Sequence, residues 1–202
     1  MRVRKTEITR DDILPYALYA QQRKQRRRQL VEIKRNRRLA VGPFATFYFE
    51  NFDTMLQQVQ EMLHIERGGE EQIADELRAY NPLIPKGCDL SATLMFEIDD
   101  PERRHRELSR LGEVEKFVSL QFGGHVVAAR AEDDVARTTA EGKTSAVHFL
   151  HFDLSPAQIA QFKTPGTQVL AAITHPNYGH MALMPEAARI ALAEDLADID
   201  QA

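Results

Sequence analysis

The sequence contains a single cysteine, Cys88, and it has no run of apolar residues near the roughly 18 that a membrane helix needs. One cysteine excludes an intramolecular disulfide, and it excludes zinc or iron–sulfur sites built from several cysteines of this chain. The basic N-terminus is not followed by an apolar segment, so the pattern of a secretory signal is missing as well. These absences lead us to expect a cytoplasmic protein.

The familiar signatures of nucleotide binding and of hydrolysis are also missing. The chain has no P-loop, no Gly-x-Gly-x-x-Gly, no Gly-x-Ser-x-Gly and no His-Glu-x-x-His. No reaction can therefore be assigned from a motif. The signals that remain are the distribution of charge, the hydrophobic periodicity and the spacing of the histidines.

Charge is distributed unevenly along the chain, although the net charge is only −4. Residues 1–40 hold 13 Lys and Arg against 4 Asp and Glu, a balance of +9. The remaining 162 residues hold 13 against 26, a balance of −13. A basic arm is thus joined to an acidic body. Either the two parts neutralise each other within the fold, or the arm has an anionic partner.

The basic arm is predicted to form a long helix over residues 16–38, which Gly42-Pro43 would end. With about 100° of rotation per residue, the apolar side chains of this helix share one side with several cations. Unpaired charge on a buried face is costly, so these cations need partners or solvent. The cations in question are Arg23, Arg27, Lys34 and Arg38.

Two acids are candidate partners for these cations. Glu66 falls in the middle of the apolar stripe of a second predicted helix, 53–67, and Glu50 ends the strand before it. We expect a carboxylate–guanidinium network that joins these acids to Arg23 or Arg27. A partly exposed helix whose long side chains reach solvent is the alternative. RNA binding is a third interpretation, which the lack of interleaved aromatic residues and the acidic remainder of the chain disfavour.

Glu61 and His64 have the Glu-x-x-His spacing with which helical bundles hold two iron ions, and Glu102 and His105 repeat it. Such a site needs four long helices, whereas the second half of the chain has the pattern of strands. Glu61 and His64 also fall opposite the apolar stripe of their helix. We therefore interpret both pairs as solvated helix surface.

The second half of the chain alternates apolar and polar residues with the period of strands. A hairpin is predicted around Gly123-Gly124, a second hairpin at 167–184 with a four-residue loop, and a final helix from Pro185. We expect an α+β protein whose N-terminal helices pack on a mostly antiparallel sheet, open or curled into a partial barrel. A helical part with one strand, 1–88, and a β-rich part, 89–202, would form one compact domain.

Five of the seven histidines lie on or beside predicted strands. The predicted loop places His175 and His180 opposite each other. If His148 and His125 converge on them, the cluster could hold one divalent metal, iron or zinc, in a metal-dependent enzyme. The alternative is that these are ordinary strand histidines that bind water or backbone groups.

Four segments together resemble a bacterial family known as domain of unknown function 3501; they are "RRRQLVEIKRNRRLAVGP", "FYFENFDTMLQQVQEMLHIE", "THPNY" and "ALAEDL". Members of that family are encoded beside rubrerythrin-like and heterodisulfide-reductase-like iron–sulfur proteins. The resemblance therefore implies a role in redox or peroxide-stress metabolism. It implies a non-enzymatic accessory or docking partner of such proteins, with the basic arm as the docking surface, and it implies no catalytic residues.

Overall fold

The computed structural model describes residues 5–132, 138–139 and 142–198. Within these residues, six α-helices and nine β-strands confirm the predicted α+β class. The helices are α1 (Tyr16–Arg35), α2 (Phe52–Glu66), α3 (Gly69–Tyr80), α4 (Pro101–Leu108), α5 (Pro156–Lys163) and α6 (Glu186–Ala193). The strands are β1 (Arg38–Val41), β2 (Ala45–Glu50), β3 (Asp89–Phe96), β4 (Val118–Phe122), β5 (His125–Ala128), β6 (Arg130–Ala131), β7 (Val147–Asp153), β8 (Val169–His175) and β9 (Tyr178–Leu183).

The strands form two antiparallel sheets. One sheet has the order β1-β2-β3-β7-β6 and the other the order β5-β4-β8-β9. Over the described residues neither sheet closes into a barrel, so the curled arrangement is not adopted. The main hydrophobic core includes residues of both sheets and of α4, α5 and α6.

A second, smaller core lies beneath the N-terminal helices. It joins Ile8 and Ile13 of the N-terminal segment to Met55 and Val59 of α2 and to Ile73 of α3. Because α2 contributes to this core and also packs against α1, it is the element that positions the basic arm. None of the helices in the described residues combines the length with the apolar composition that a membrane crossing requires.

Two elements differ from the sequence prediction in this N-terminal part. The helix predicted over 16–38 ends at Arg35, because the next residues pair with β2 as β1. Leu39 and Val41 point inward from β1 and are buried, whereas Arg38 is exposed. Burial of these apolar side chains in the sheet outweighs continuation of the helix. The predicted helix 53–67 is confirmed as α2, and α3 was not expected from the sequence.

The hairpins follow the prediction in one case and depart from it in the other. Gly123 and Gly124 form the turn between β4 and β5, both with positive φ, as a two-residue turn requires. The β8–β9 turn also has two residues rather than the predicted four, since His175 pairs with Tyr178. The Tyr178 hydroxyl donates to the carbonyl of Val41 at 2.7 Å and is buried, which fixes this register.

Candidate functional site

The first half of α1 is attached to α2 through one polar network. Tyr19 is the buried residue of α1, and its hydroxyl donates to Glu61 Oε1 at 2.5 Å. Arg23 donates to both oxygens of the same carboxylate, from Nε at 2.9 Å and from Nη2 at 2.7 Å. Gln57, one turn earlier on α2, donates to the Tyr19 hydroxyl. Glu61 therefore binds two side chains of α1.

The charges in this network stabilise one another. The hydrogen bonds from Arg23, with a smaller one from Tyr19, lower the pKa of Glu61 to about 2 against the opposing effect of burial. Burial and the neighbouring carboxylate raise the pKa of Tyr19 well above its ordinary 10. At neutral pH the network thus contains an anionic Glu61 held by a cationic Arg23 and a neutral phenol.

The position of Glu61 and His64 corrects the interpretation of this pair as solvated surface. Both side chains face α1, which covers the side of α2 opposite its apolar stripe, and the Glu61 side chain is only 20% exposed. The repeat of the spacing, Glu102 and His105, does lie on an exposed face of α4. The carboxylate of Glu61 is already occupied by hydrogen bonds from α1.

Arg23 pairs with Glu61 and with neither of the predicted acids, Glu66 and Glu50. Glu66 is exposed and accepts a hydrogen bond from Gln72 at 2.8 Å, so its predicted pairing with Arg23 or Arg27 is wrong. Five helical residues turn the chain by about 500°, which places Glu61 and Glu66 about 140° apart around α2. Arg27 is exposed, but it contributes to the lowered pKa of Glu61.

The remaining members of the predicted network are separated from it. Glu50 is buried and accepts from the hydroxyls of Thr54 at 2.6 Å and Thr93 at 2.8 Å. Arg38 pairs with Glu97 at 3.2 Å on the surface of the five-stranded sheet. Lys34 is half-buried near the end of α1. Glu50, Arg38 and Lys34 therefore lie in three different environments, apart from the Arg23–Glu61 pair.

The most buried cation of the basic arm, within the part of the arm that the structure describes, was not predicted from the sequence. Arg37 is 5% exposed and donates to Asp195 at 2.6 and 3.0 Å, and to the carbonyl of Ala191 at 3.0 Å. The pair joins the residue before β1 to the residues that follow α6. The partners are 158 positions apart, so local periodicity cannot identify them.

A cavity of ≈ 340 Å³ lies beside the Glu61 network, between the N-terminal segment and α1, α2 and α3. The ring of His64 stacks on Tyr16, with 4.9 Å between centroids and 12° between planes. Arg67 donates from Nη2 to the Tyr16 hydroxyl at 2.9 Å, and its guanidinium lies 5.2 Å from the centre of that ring. The other side chains lining the cavity include Arg10, Ile13, Tyr19, Leu63, Glu70 and Ile73.

The histidines predicted as metal ligands lie in different surroundings. His148 is on the five-stranded sheet, where Nε2 lies 3.2 Å from the Thr144 hydroxyl and 3.0 Å from the Ser145 carbonyl. His125, His175 and His180 belong to the four-stranded sheet.

Even within that sheet the three histidines have separate neighbours. His175 is buried and accepts from the backbone N–H of Asn177 at 3.2 Å, His180 is exposed beside Tyr178, and His125 lies beside the ring of Phe122. Across the described ranges, no group of three or more His, Cys, Asp or Glu side chains is close enough to hold a metal ion.

A different histidine, which the sequence did not single out as a site, lies between two carboxylates. His151 on β7 is 3% exposed; its Nε2 lies 2.5 Å from Glu132 Oε1 and its Nδ1 3.5 Å from Asp89 Oδ2. Burial alone would lower the pKa of His151, but the bonds to Asp89 and Glu132 outweigh it and raise this pKa above 6.5. The arrangement therefore favours the charged imidazole.

This arrangement predicts a dependence of stability on pH. A raised folded-state pKa means that His151 stabilises the protein below about pH 6.5, and that this contribution is lost as the pH rises through the folded-state pKa. We expect the free energy of unfolding in urea to fall between about pH 6 and about pH 9. This fall should be larger for the wild type than for His151→Gln. The exposed His105 supplies the control, since His105→Gln should keep the wild-type loss. An unchanged loss in His151→Gln would contradict this assignment.

Two comparisons with known proteins find matches that cover nearly the whole chain. The model of a family described as "Protein of unknown function (DUF3501)" matches residues 7–196. A crystal structure of a protein of unknown function from Burkholderia pseudomallei is 36% identical, and the alignment covers 94% of this chain and 99% of that chain with a TM-score of 0.87. None of the curated proteins matches the sequence.

Proposed function

The chain belongs to the DUF3501 family, and from this premise we propose that it is a non-enzymatic binding protein that docks an acidic partner protein on α1. The docking surface is the basic face, defined here as the exposed cations Lys24, Arg27 and Arg28 of the middle of α1. The observation that carries the proposal is that, among the described residues, these three form no salt bridge within 4.0 Å.

The basic face is costly for the isolated chain. α1 carries seven cations and one acid, Glu32, and among the described residues only Arg23 and Arg35 of these cations form a salt bridge with an acid. Like charges one turn apart on a helix destabilise it by a few tenths of a kcal/mol per pair, about 0.2–0.5. An acidic partner would remove this repulsion and would release the counterions that the face attracts.

The helix that carries the basic face is attached to the rest of the protein on either side of that face. Arg23 is bonded to Glu61 at the start of the basic segment, and Arg37, two residues beyond α1, is bonded to Asp195. The cations between these anchors are therefore presented on a fixed backbone. A preorganised surface loses less conformational entropy on binding than a flexible basic tail would.

The composition of α1 favours a protein over a nucleic acid as the occupant. Exposed apolar side chains lie on the same helix, with Val31 at 62% and Leu18 at 39% exposure, and protein interfaces combine such groups with arginine. The exposed aromatic residue of α1, Tyr16, is stacked on His64 and bonded to Arg67, so it is not available to stack on a base.

The family resemblance supplies the first partners to test. Rubrerythrin-like and iron–sulfur proteins from the same organism are the proposed partners, and the proposed setting is redox or peroxide-stress metabolism. RNA binding through α1 would produce a salt dependence of the same kind, so an experiment has to separate the two partner classes.

The proposal predicts that charge reversal on the basic face strongly weakens docking. Lys24→Glu, Arg27→Glu and Arg28→Glu together should weaken the affinity for the acidic partner by about tenfold to a hundredfold, since each exposed pair contributes about 0.2–1 kcal/mol. Calorimetric titration at several salt concentrations would measure this. The wild-type affinity should fall steeply with salt, and the variant should lose that dependence.

A second basic trio offers the matched control. Arg103, Arg106 and Arg110 are exposed cations on and after α4, and reversing them changes the net charge by the same amount. This control variant should bind like the wild type. Equal losses in both variants would show a non-specific charge effect and contradict the proposal. Binding of a random RNA by the wild type at an affinity above that for either protein would also overturn it.

A further inference from the structure

We propose that the cavity between the N-terminal segment and α1, α2 and α3 is a binding site for a small organic anion, with an apolar or aromatic body and a carboxylate that binds Arg67. This site is separate from the basic face, and the inference does not depend on the proposed docking function. Its volume of ≈ 340 Å³ falls in the range of small-molecule pockets, about 300–1,000 Å³.

The lining of the cavity combines an apolar body with few polar groups. Ile13, Leu63 and Ile73 supply aliphatic surface, and Tyr16 and His64 supply stacked rings. Pockets for small molecules have this composition, in which apolar surface gives affinity and a small number of polar groups fix the orientation.

Of the two arginines that line the cavity, one is paired with an acid and the other is not. Arg10 is neutralised by Glu70, with bonds of 2.8 and 2.6 Å to its two oxygens. Arg67 forms no salt bridge with any acid of the described segments, and its hydrogen bond goes to the neutral Tyr16 hydroxyl. A guanidinium has five N–H donors in a planar fork that matches a carboxylate, so Arg67 has donors to spare for an anion.

The backbone of Arg67 has an uncommon conformation for a residue with a side chain. Arg67 follows α2 with φ 56° and ψ 36°, a left-handed conformation that glycine usually supplies at the end of a helix. Its two successors, Gly68 and Gly69, are glycines. Non-glycine residues in this region are uncommon and cluster at active sites and ligand clamps.

His64 adds a second polar group to the same cavity. Its Nδ1 is buried and has no hydrogen-bond partner among the described residues. Buried polar atoms without partners are uncommon, and each calls for an explanation. Tyr16, whose ring stacks on that of His64 in the lining of the cavity, is 46% exposed.

Benzoate and benzamide are matched probes, because they share shape and differ in charge. In a titration of the full chain followed by the chemical shifts of its amide and ring protons, benzoate should bind at least about tenfold more tightly than benzamide. The largest shifts should come from Tyr16, His64 and Ile73. Equal affinities, absence of saturable benzoate binding up to about 10 mM, or binding of inorganic phosphate as tight as that of benzoate would each overturn the assignment.

Arg67→Gly separates binding from folding. Glycine relieves the left-handed backbone, so the melting temperature should be unchanged or higher, whereas benzoate affinity should fall at least about tenfold. The control is Glu113→Gly, at a residue outside the cavity whose φ of 59° is also left-handed. That variant should keep the wild-type affinity. Wild-type binding by Arg67→Gly would refute the site.

Discussion

Replacing Asp195 by alanine is expected to lower the free energy of unfolding by about 3–5 kcal/mol. The substitution leaves the guanidinium of Arg37 charged and 5% exposed, without the two bonds of 2.6 and 3.0 Å that compensate its burial. The carbonyl of Ala191, which also accepts from Arg37, cannot replace a charged partner. Urea unfolding at neutral pH, followed by circular dichroism, would measure the change.

Two variants show whether this loss comes from an uncompensated charge. Asp75→Ala removes a surface salt bridge in which Asp75 is 72% and Arg78 77% exposed. This substitution should lower the free energy of unfolding by less than about 0.5 kcal/mol. Replacing the buried pair by Arg37→Met and Asp195→Leu together should recover most of the stability, because it leaves no buried charge. A loss in Asp195→Ala no greater than that in Asp75→Ala would contradict the prediction.

The Arg37–Asp195 pair connects the fold to the proposed docking surface. Arg37 lies between the end of α1 and β1, and Asp195 follows α6, so the pair ties the C-terminal end of α1 to the body of the protein. The pair between Arg23 and Glu61 holds the middle of the same helix. The basic face lies between these two attachments, which is why its orientation depends on both.

Sequence periodicity was sufficient where the information is local. The alternation of apolar and polar residues predicted strands such as β3 in the second half of the chain, and the glycine pair predicted the β4–β5 hairpin. It failed at the end of α1, where β1 forms only because β2 is available for pairing. It also failed for the register of the β8–β9 hairpin, which depends on the contact of Tyr178 with Val41.

Side chains that meet across the fold were harder to predict than the elements that carry them. The family resemblance is confirmed over residues 7–196, but it assigns no residue to a role. The strand order separates His148 from the sheet that carries His175, and no pattern in one strand reveals its neighbours. The polar network between α1 and α2 was expected, but which acid of α2 faces α1 depends on how α2 is rotated in the fold.

Which acid of α2 binds α1, Glu61 or Glu66, can be tested directly by substitution. Glu61→Gln should lower the free energy of unfolding by about 2 kcal/mol, because it leaves Arg23 and the buried Tyr19 hydroxyl without their anionic acceptor. Glu66→Gln, which changes the exposed acid five residues later, should change it by less than about 0.5 kcal/mol. Urea unfolding of both variants at neutral pH gives the comparison.

The pH dependence of these two variants identifies the charge as the cause. The folded-state pKa of Glu61 is lowered to about 2 from the ordinary 4.5, so its contribution is present above the ordinary value and is lost as the pH falls through the folded value. The difference between wild type and Glu61→Gln should therefore shrink from about pH 5 to about pH 2. If the difference stays constant over this range, the loss reflects altered packing. If Glu66→Gln is instead the destabilised variant, α2 presents the other acid to α1.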